Sequence, residues 1–167
     1  MFQTAKQKKL AYIVFSVYLF LLIWLVLFKF ATKLSEIPSM RSINFIPFHY
    51  GQETSMQKKE VLYNIMAFVP LGVYIHMFRA KWKLAKKVLI VLLCSFLFEV
   101  VQFVFAIGAS DITDLIGNTL GGFVGILFCV IMKKIAPKKF TSIFNISGLC
   151  VELAAIGFML ILLGANS

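Results

Sequence analysis

The chain has 167 residues, 60% of them hydrophobic and only 14% charged, with a mean hydropathy of +0.91. Soluble domains carry about 25% charged residues, so the composition excludes an ordinary soluble domain and points to an all-α integral membrane protein of small size. The net charge of +10 does not imply a nucleic-acid partner, because Lys and Arg fall in short clusters between apolar runs, the pattern of membrane topology.

Residues 1–9 form a short basic N-terminus with Lys6, Lys8 and Lys9, followed by an apolar run over 10–30. About 20 apolar residues at roughly 1.5 Å each cross a hydrocarbon core of about 30 Å, so 10–30 is predicted as the first span. It has no A-x-A-like cleavage site and is expected to be retained. The longest polar interval, 29–60, contains Pro38 and an apolar island at Ile43–Phe48. Pro47 biases Ile46 toward extended backbone, so the island is expected to lie at or dip into the membrane interface, or to form an aromatic-anchored surface loop.

A second span is predicted over 61–78, with Asn64 and Pro70 inside it; Pro70 is expected to kink the helix by freeing the Met66 carbonyl. A basic loop, Arg79–Lys87, leads to a third span over 88–107, and Gly108–Thr113 is read as a turn. The fourth span, 115–132, carries Gly117, Gly121 and Gly125 at the four-residue spacing that lets helices approach closely. A further basic stretch, 133–139, precedes a fifth span over 146–164 that bears Glu152, and 165–167 is a tail. The whole of 10–164 is expected to form one membrane domain. Cys94, Cys129 and Cys150 lie inside apolar segments without CxxC spacing and read as small core residues rather than disulfide or metal ligands.

The N-terminus, Arg79–Lys87 and 133–139 hold twelve of the seventeen Lys and Arg and none of the acids, which predicts that these three segments are cytoplasmic. Five spans then leave the C-terminus outside. This orientation gathers polar residues in the outer leaflet. Glu99 and Gln102 share a helix face with Ser95, and Asp111, Asp114, Asn118, Gly121 and Gly125 follow a similar rhythm on the next helix. A Glu within a spanning helix costs about 2.5–3.5 kcal/mol on insertion scales, so Glu99 is expected to face protein rather than lipid. The glycine stripe is expected to pack against the Ser95–Glu99–Gln102 face.

Several roles fit these residues. Asp111 can cap the fourth helix, with Asp114 completing a capping-box-like pair. Glu99 and Gln102 can form a structural clasp with Asn64 or Asn118. If the protein is an enzyme, Glu99, Asp111 and Asp114 are the candidate catalytic acids or bases, and the same three carboxylates are the one Mg²⁺ or Ca²⁺ arrangement the acids allow. With His49 and His76 the only histidines and no hydrolase, P-loop or zinc-protease motif, neither metal nor other cofactor is expected.

Four stretches together, NFIPF at Asn44–Phe48, NIMAFVPLG at Asn64–Gly72, FEVVQ at Phe98–Gln102 and GASDITDLIGNTLGG at Gly108–Gly122, resemble the VanZ family. WLVLFK at Trp24–Lys29 is also similar, and the likeness extends over a core of about 24–132. The resemblance implies a multi-pass protein of the bacterial cell membrane that lowers susceptibility to teicoplanin-type glycopeptide antibiotics. By position it places family motif residues at Asn44, Pro47, Asn64, Pro70, Gly72, Glu99, Gln102, Asp111, Asp114, Asn118 and Gly121. Of these, Asn44, Asn64, Glu99, Gln102, Asp111, Asp114 and Asn118 are taken as the binding set, with Pro47, Pro70, Gly72, Gly121 and Gly125 structural. The leading reading is a non-enzymatic protein that binds, senses or excludes an amphiphile, with membrane lipids and a lipoglycopeptide or lipid-linked cell-wall precursor as partners. The alternatives are an enzyme acting on a lipid or lipid-linked precursor head group and a structural partner of a cell-wall enzyme.

Overall fold

A computed structural model describes residues 2–28, 40–48 and 54–165. Residues 29 and 30 of the first predicted span, Pro38, His49 and positions 166 and 167 of the tail lie outside them. The elements run α1 (Ala5–Phe28), β1 (Met40–Asn44), α2 (Thr54–Phe78), α3 (Leu84–Phe105), β2 (Ile107–Asp111), α4 (Ile112–Ile135) and α5 (Phe140–Ala165). All five helices are long and apolar enough to span a membrane. Their polar flanks are helical too. Thr4 starts α1 by accepting the Gln7 amide at 3.1 Å on its hydroxyl, while the Gln7 side chain accepts the Gln3 amide at 2.8 Å. These side-chain bonds satisfy amides that a helix start leaves orphaned, so the helix extends into the basic segment.

The chain packs as two compact units, one formed by 1–37 with 132–167 and the other by 38–131. In the first, α1 lies along α5, and the Gln7 side-chain nitrogen donates to the Ser142 hydroxyl at 2.9 Å, so the two helices start side by side. The Lys133 ammonium donates to Thr141 at 2.6 Å at the start of α5. Glu152 is buried in α5.

In the second unit α2 continues through Pro70 to Phe78. It returns as α3 after a short basic connection, where Arg79 and Lys86 both lie over the Trp82 ring, at 5.3 and 4.2 Å from its centroid. The glycines of α4 meet α2, which corrects the expectation that they meet the Ser95–Glu99–Gln102 face of α3. A Cβ on Gly121 would strike the Ile65 carbonyl oxygen, and one on Gly125 the Val69 carbonyl oxygen. Gly72 of α2 reciprocates against the carbonyl of Gly122. The side of α4 that faces α3 is one step round the helix, where Gly122 abuts Val91 and Asn118 donates to Ser95 at 2.9 Å. Asp114, Gly117, Gly121 and Gly125 thus belong to one row and Asn118 and Gly122 to another. At 100° per residue two such rows sit side by side, and α4 needs both because it fills the angle between α2 and α3.

The segment read as a turn, Gly108–Thr113, instead supplies most of β2 and the first residues of α4, and the Ile43–Phe48 island begins inside β1. The two strands pair in parallel, with Met40 opposite Ile107 and Asn44 opposite Asp111. Parallel strands need a long crossover, and the α2–α3 hairpin provides it by carrying the chain away and back. Met-Arg-Ser-Ile-Asn and Ile-Gly-Ala-Ser-Asp are short, each has a single β-branched residue, and the second carries Gly, Ala and Asp, so local propensity does not announce them. Pro47 follows β1 in a turn that includes Phe48, whose φ of 54° is left-handed.

The glycine contacts lead to a contrast in substitution tolerance. Gly121→Ala forces α4 off the Ile65 backbone and is expected to cost about 1–3 kcal/mol, with Gly121→Leu worse. Gly157→Ala in α5, where a Cβ meets nothing within 4 Å, is expected to be neutral or to stabilise by roughly 0.5–1 kcal/mol. Thermal unfolding of the purified variants, followed by helical circular dichroism, checks this; equal tolerance at both positions would remove the close approach.

Candidate functional site

The site grows from the start of α4. Asp111 is the residue before the helix, and its carboxylate accepts the Thr113 amide at 2.7 Å, the expected N-cap bond. In a capping box the third helical residue reaches back to the cap residue's own amide. Here that amide is taken by Glu99 of α3, whose carboxylate accepts it at 2.9 Å. Asp114, at the third helical position, accepts instead from the Asn64 side chain of α2 at 2.7 Å. The expected box is therefore completed from a neighbouring helix. Ser110 adds a second tie by donating to the Glu99 carbonyl at 2.8 Å.

The end of β1 closes over this start. The Asn44 amide donates to the second Asp111 carboxylate oxygen at 3.0 Å, while its own oxygen accepts the Ile46 amide at 3.0 Å and turns the chain toward Pro47. The Phe48 amide donates to the Thr113 hydroxyl at 3.0 Å. Asn44, Glu99 and Asp111 thus converge, joined by Ser110 and Thr113.

The remaining expected residues sit elsewhere. Asn64 pairs with Asp114 between α2 and α4, and Asn118 pairs with Ser95 between α4 and α3, so neither clasps Glu99 or Gln102. Gln102 is buried against the start of β2, its side-chain nitrogen 3.5 Å from where a Gly108 Cβ would lie. Glu99 and Asp111 meet on the α3 side of α4 and Asp114 on the α2 side. No group of three or more potential ligands forms a metal site among the described residues.

Above the polar contacts lies a cavity of about 260 Å³. Its walls are Ile43, Phe45, Phe96, Val100, Phe103, Ile112 and Leu115, and Asn44, Glu99, Ser110 and Asp111 form the floor. The floor groups bond to one another and to backbone, so the surface presented to a ligand is mainly hydrocarbon. One residue missed at the sequence level stands beside it. Arg41 of β1 donates to the Val104 carbonyl at 3.1 Å and lies over the Phe103 ring, 5.5 Å from its centroid. Its signal was alternation: Arg41 and Ile43 stand two apart and so share one side of β1, but only the pairing with β2 makes that period relevant.

The Glu99 bond sets an order of tolerance. Glu99→Gln keeps an oxygen that can accept the Asp111 amide and is expected to lower stability mildly, whereas Glu99→Ala orphans that amide and is expected to cost about 1–3 kcal/mol. Thermal unfolding in a fixed detergent measures both, and an alanine variant as stable as the glutamine variant would show that the bond contributes nothing.

Comparison with known proteins extends the motif resemblance over most of the chain. The VanZ/LLP1 family model matches residues 15–133, which takes in α1 from its third turn, both strands, α2, α3 and nearly all of α4. The curated Protein VanZ of Enterococcus faecium is 38% identical over 127 residues, covering 74% of this chain and 76% of that protein. No solved structure matches. A five-helix membrane chain with this extent of match belongs to the VanZ/LLP1 family.

Proposed function

We propose that this protein lowers susceptibility to teicoplanin-type lipoglycopeptide antibiotics by holding the apolar tail of an amphiphile in the cavity between β1, α3 and the start of α4. The observation that carries this reading is the division of the cavity into hydrocarbon walls and a polar floor already bonded to itself. A catalytic acid or base needs to reach a substrate proton, but the Glu99, Asp111 and Asp114 carboxylates each accept from the chain's own donors. At about 260 Å³ the cavity is smaller than the roughly 300–1,000 Å³ typical of drug-sized ligands. It suits an acyl chain or an aromatic group rather than a whole glycopeptide.

The charge pattern supports placing this site outward. The basic segments Arg79–Lys87 and 133–139 then lie in the cytoplasm, with β1 and β2 on the extracellular side. On a background lacking the native cysteines, a reagent that cannot cross the membrane is expected to label a cysteine at Ala109 in intact cells and to miss one at Ala85. The reverse labelling would turn the cavity inward and end its antibiotic-facing role.

Filling the cavity tests its use. Val100 lines it and is 38% exposed, so Val100→Trp can occupy the space without breaking the floor. This variant is expected to lose teicoplanin protection in cells at unchanged membrane level and thermal stability. Purified wild-type protein is expected to bind teicoplanin and not its deacylated form. Full protection by Val100→Trp, or equal binding of the two forms, would sink the tail-binding reading.

A further inference from the structure

We infer that Arg41 receives the anionic head group of a single-chain amphiphile whose tail enters the cavity, an inference that rests on the tail-binding reading above. Arg41 and Ile43 stand two apart in β1, Ile43 lines the cavity, and the Arg41 guanidinium lies over the ring of Phe103, another wall residue. The side chain is exposed, and its one hydrogen bond among the described residues goes to the Val104 carbonyl at 3.1 Å. A guanidinium has five N–H donors in a planar fork, so most of its capacity remains for a carboxylate, phosphate or sulfonate.

The end of α3 explains why a cation is stable there. Carbonyls of the last helical turn lack intrahelical partners and carry the negative end of the helix dipole, and Arg41 satisfies one of them. Its cation–π contact with Phe103, a wall residue, keeps the guanidinium beside the cavity. A tilt or loss of this residue therefore has two separable effects, one on the helix end and one on whatever approaches the mouth.

Polarity also sets the direction of entry. The cavity surface is almost wholly hydrocarbon, so any charged head is disfavoured inside it, and an anionic one is attracted to Arg41 beside Phe103. A cationic head meets Arg41 first and is repelled at the mouth. A neutral head finds no counter-charge at either place. Tail in and anionic head at Arg41 is the pose in which every charge is matched.

The test uses the full chain in phosphatidylcholine nanodiscs, with a neutral dansyl-labelled dodecyl amide as the probe and empty nanodiscs as the partition control. Dodecanesulfonate, dodecanol and dodecyltrimethylammonium compete for it. For the wild type, the sulfonate is expected to displace the probe at about tenfold lower concentration than dodecanol, the scale of one charge-assisted contact, with the ammonium weakest. Arg41→Gln is expected to remove the gap between sulfonate and dodecanol while dodecanol competes as before, and Arg41→Lys to keep part of it. Equal displacement by sulfonate and dodecanol in the wild type overturns the head-group inference and leaves the cavity reading standing. A uniform loss for all three competitors in Arg41→Gln also overturns it, since Arg41 would then be only a helix cap. Absence of saturable probe binding by the wild type overturns the tail-binding reading itself.

Discussion

The bond from the Asp111 amide to the Glu99 carboxylate is the contact on which the strand-bearing end of the 38–131 unit depends. It joins the last turns of α3 to the junction of β2 and α4, and so fixes where α4 begins. Once α4 begins at Ile112, Asp111 can cap it with one carboxylate oxygen and receive Asn44 on the other, which locks the end of β1 in place. In hydrocarbon, backbone polar groups outside a helix ladder must be satisfied within the protein, since an orphan costs several kcal/mol. Glu99, Ser110, Asn44, Thr113 and Arg41 each bond a backbone group at this end of the unit. The acidic residue that seemed most expensive in a spanning helix is thereby the one that lets the chain leave helical structure.

A second constraint is the distance between α2 and α4. Membrane helices gain no hydrophobic drive from contact with one another, so their association rests on close packing and interhelical hydrogen bonds. Gly121 and Gly125 let backbone touch backbone, and the Asn64–Asp114 bond closes the end of the same seam. On the neighbouring side, Gly122 on Val91 and Asn118 on Ser95 do the same toward α3. Each seam combines a small residue with a polar pair, which fixes both separation and register.

These two sets of contacts account for nearly all the polar residues that first suggested chemistry. With those residues engaged in architecture, the cavity walls are formed by aromatic and aliphatic side chains. A pocket of this kind in a membrane protein competes with lipid for hydrocarbon, so discrimination must come from shape and from charge at the rim rather than from apolar attraction alone.

The amino-acid sequence by itself determined the five spans, since a run of about 20 apolar residues commits a helix to the membrane whatever its neighbours do. It also marked Asp111 as a helix start and the α4 glycines as a contact surface, because caps and small-residue spacing are local signals. The tertiary structure alone decided which helix those glycines meet, because two rows one residue apart on α4 both satisfy the spacing rule. It also decided that Gly108–Thr113 is not a simple turn: β2 exists only through pairing with β1, and Asn44 and Asp111 are 67 residues apart in sequence. Glu99 was visible as a costly acid, but its partner is a backbone amide, and an amide carries no residue identity for a sequence pattern to reveal. Arg41 escaped notice for a related reason, since its value comes from a carbonyl and a ring brought to it by α3.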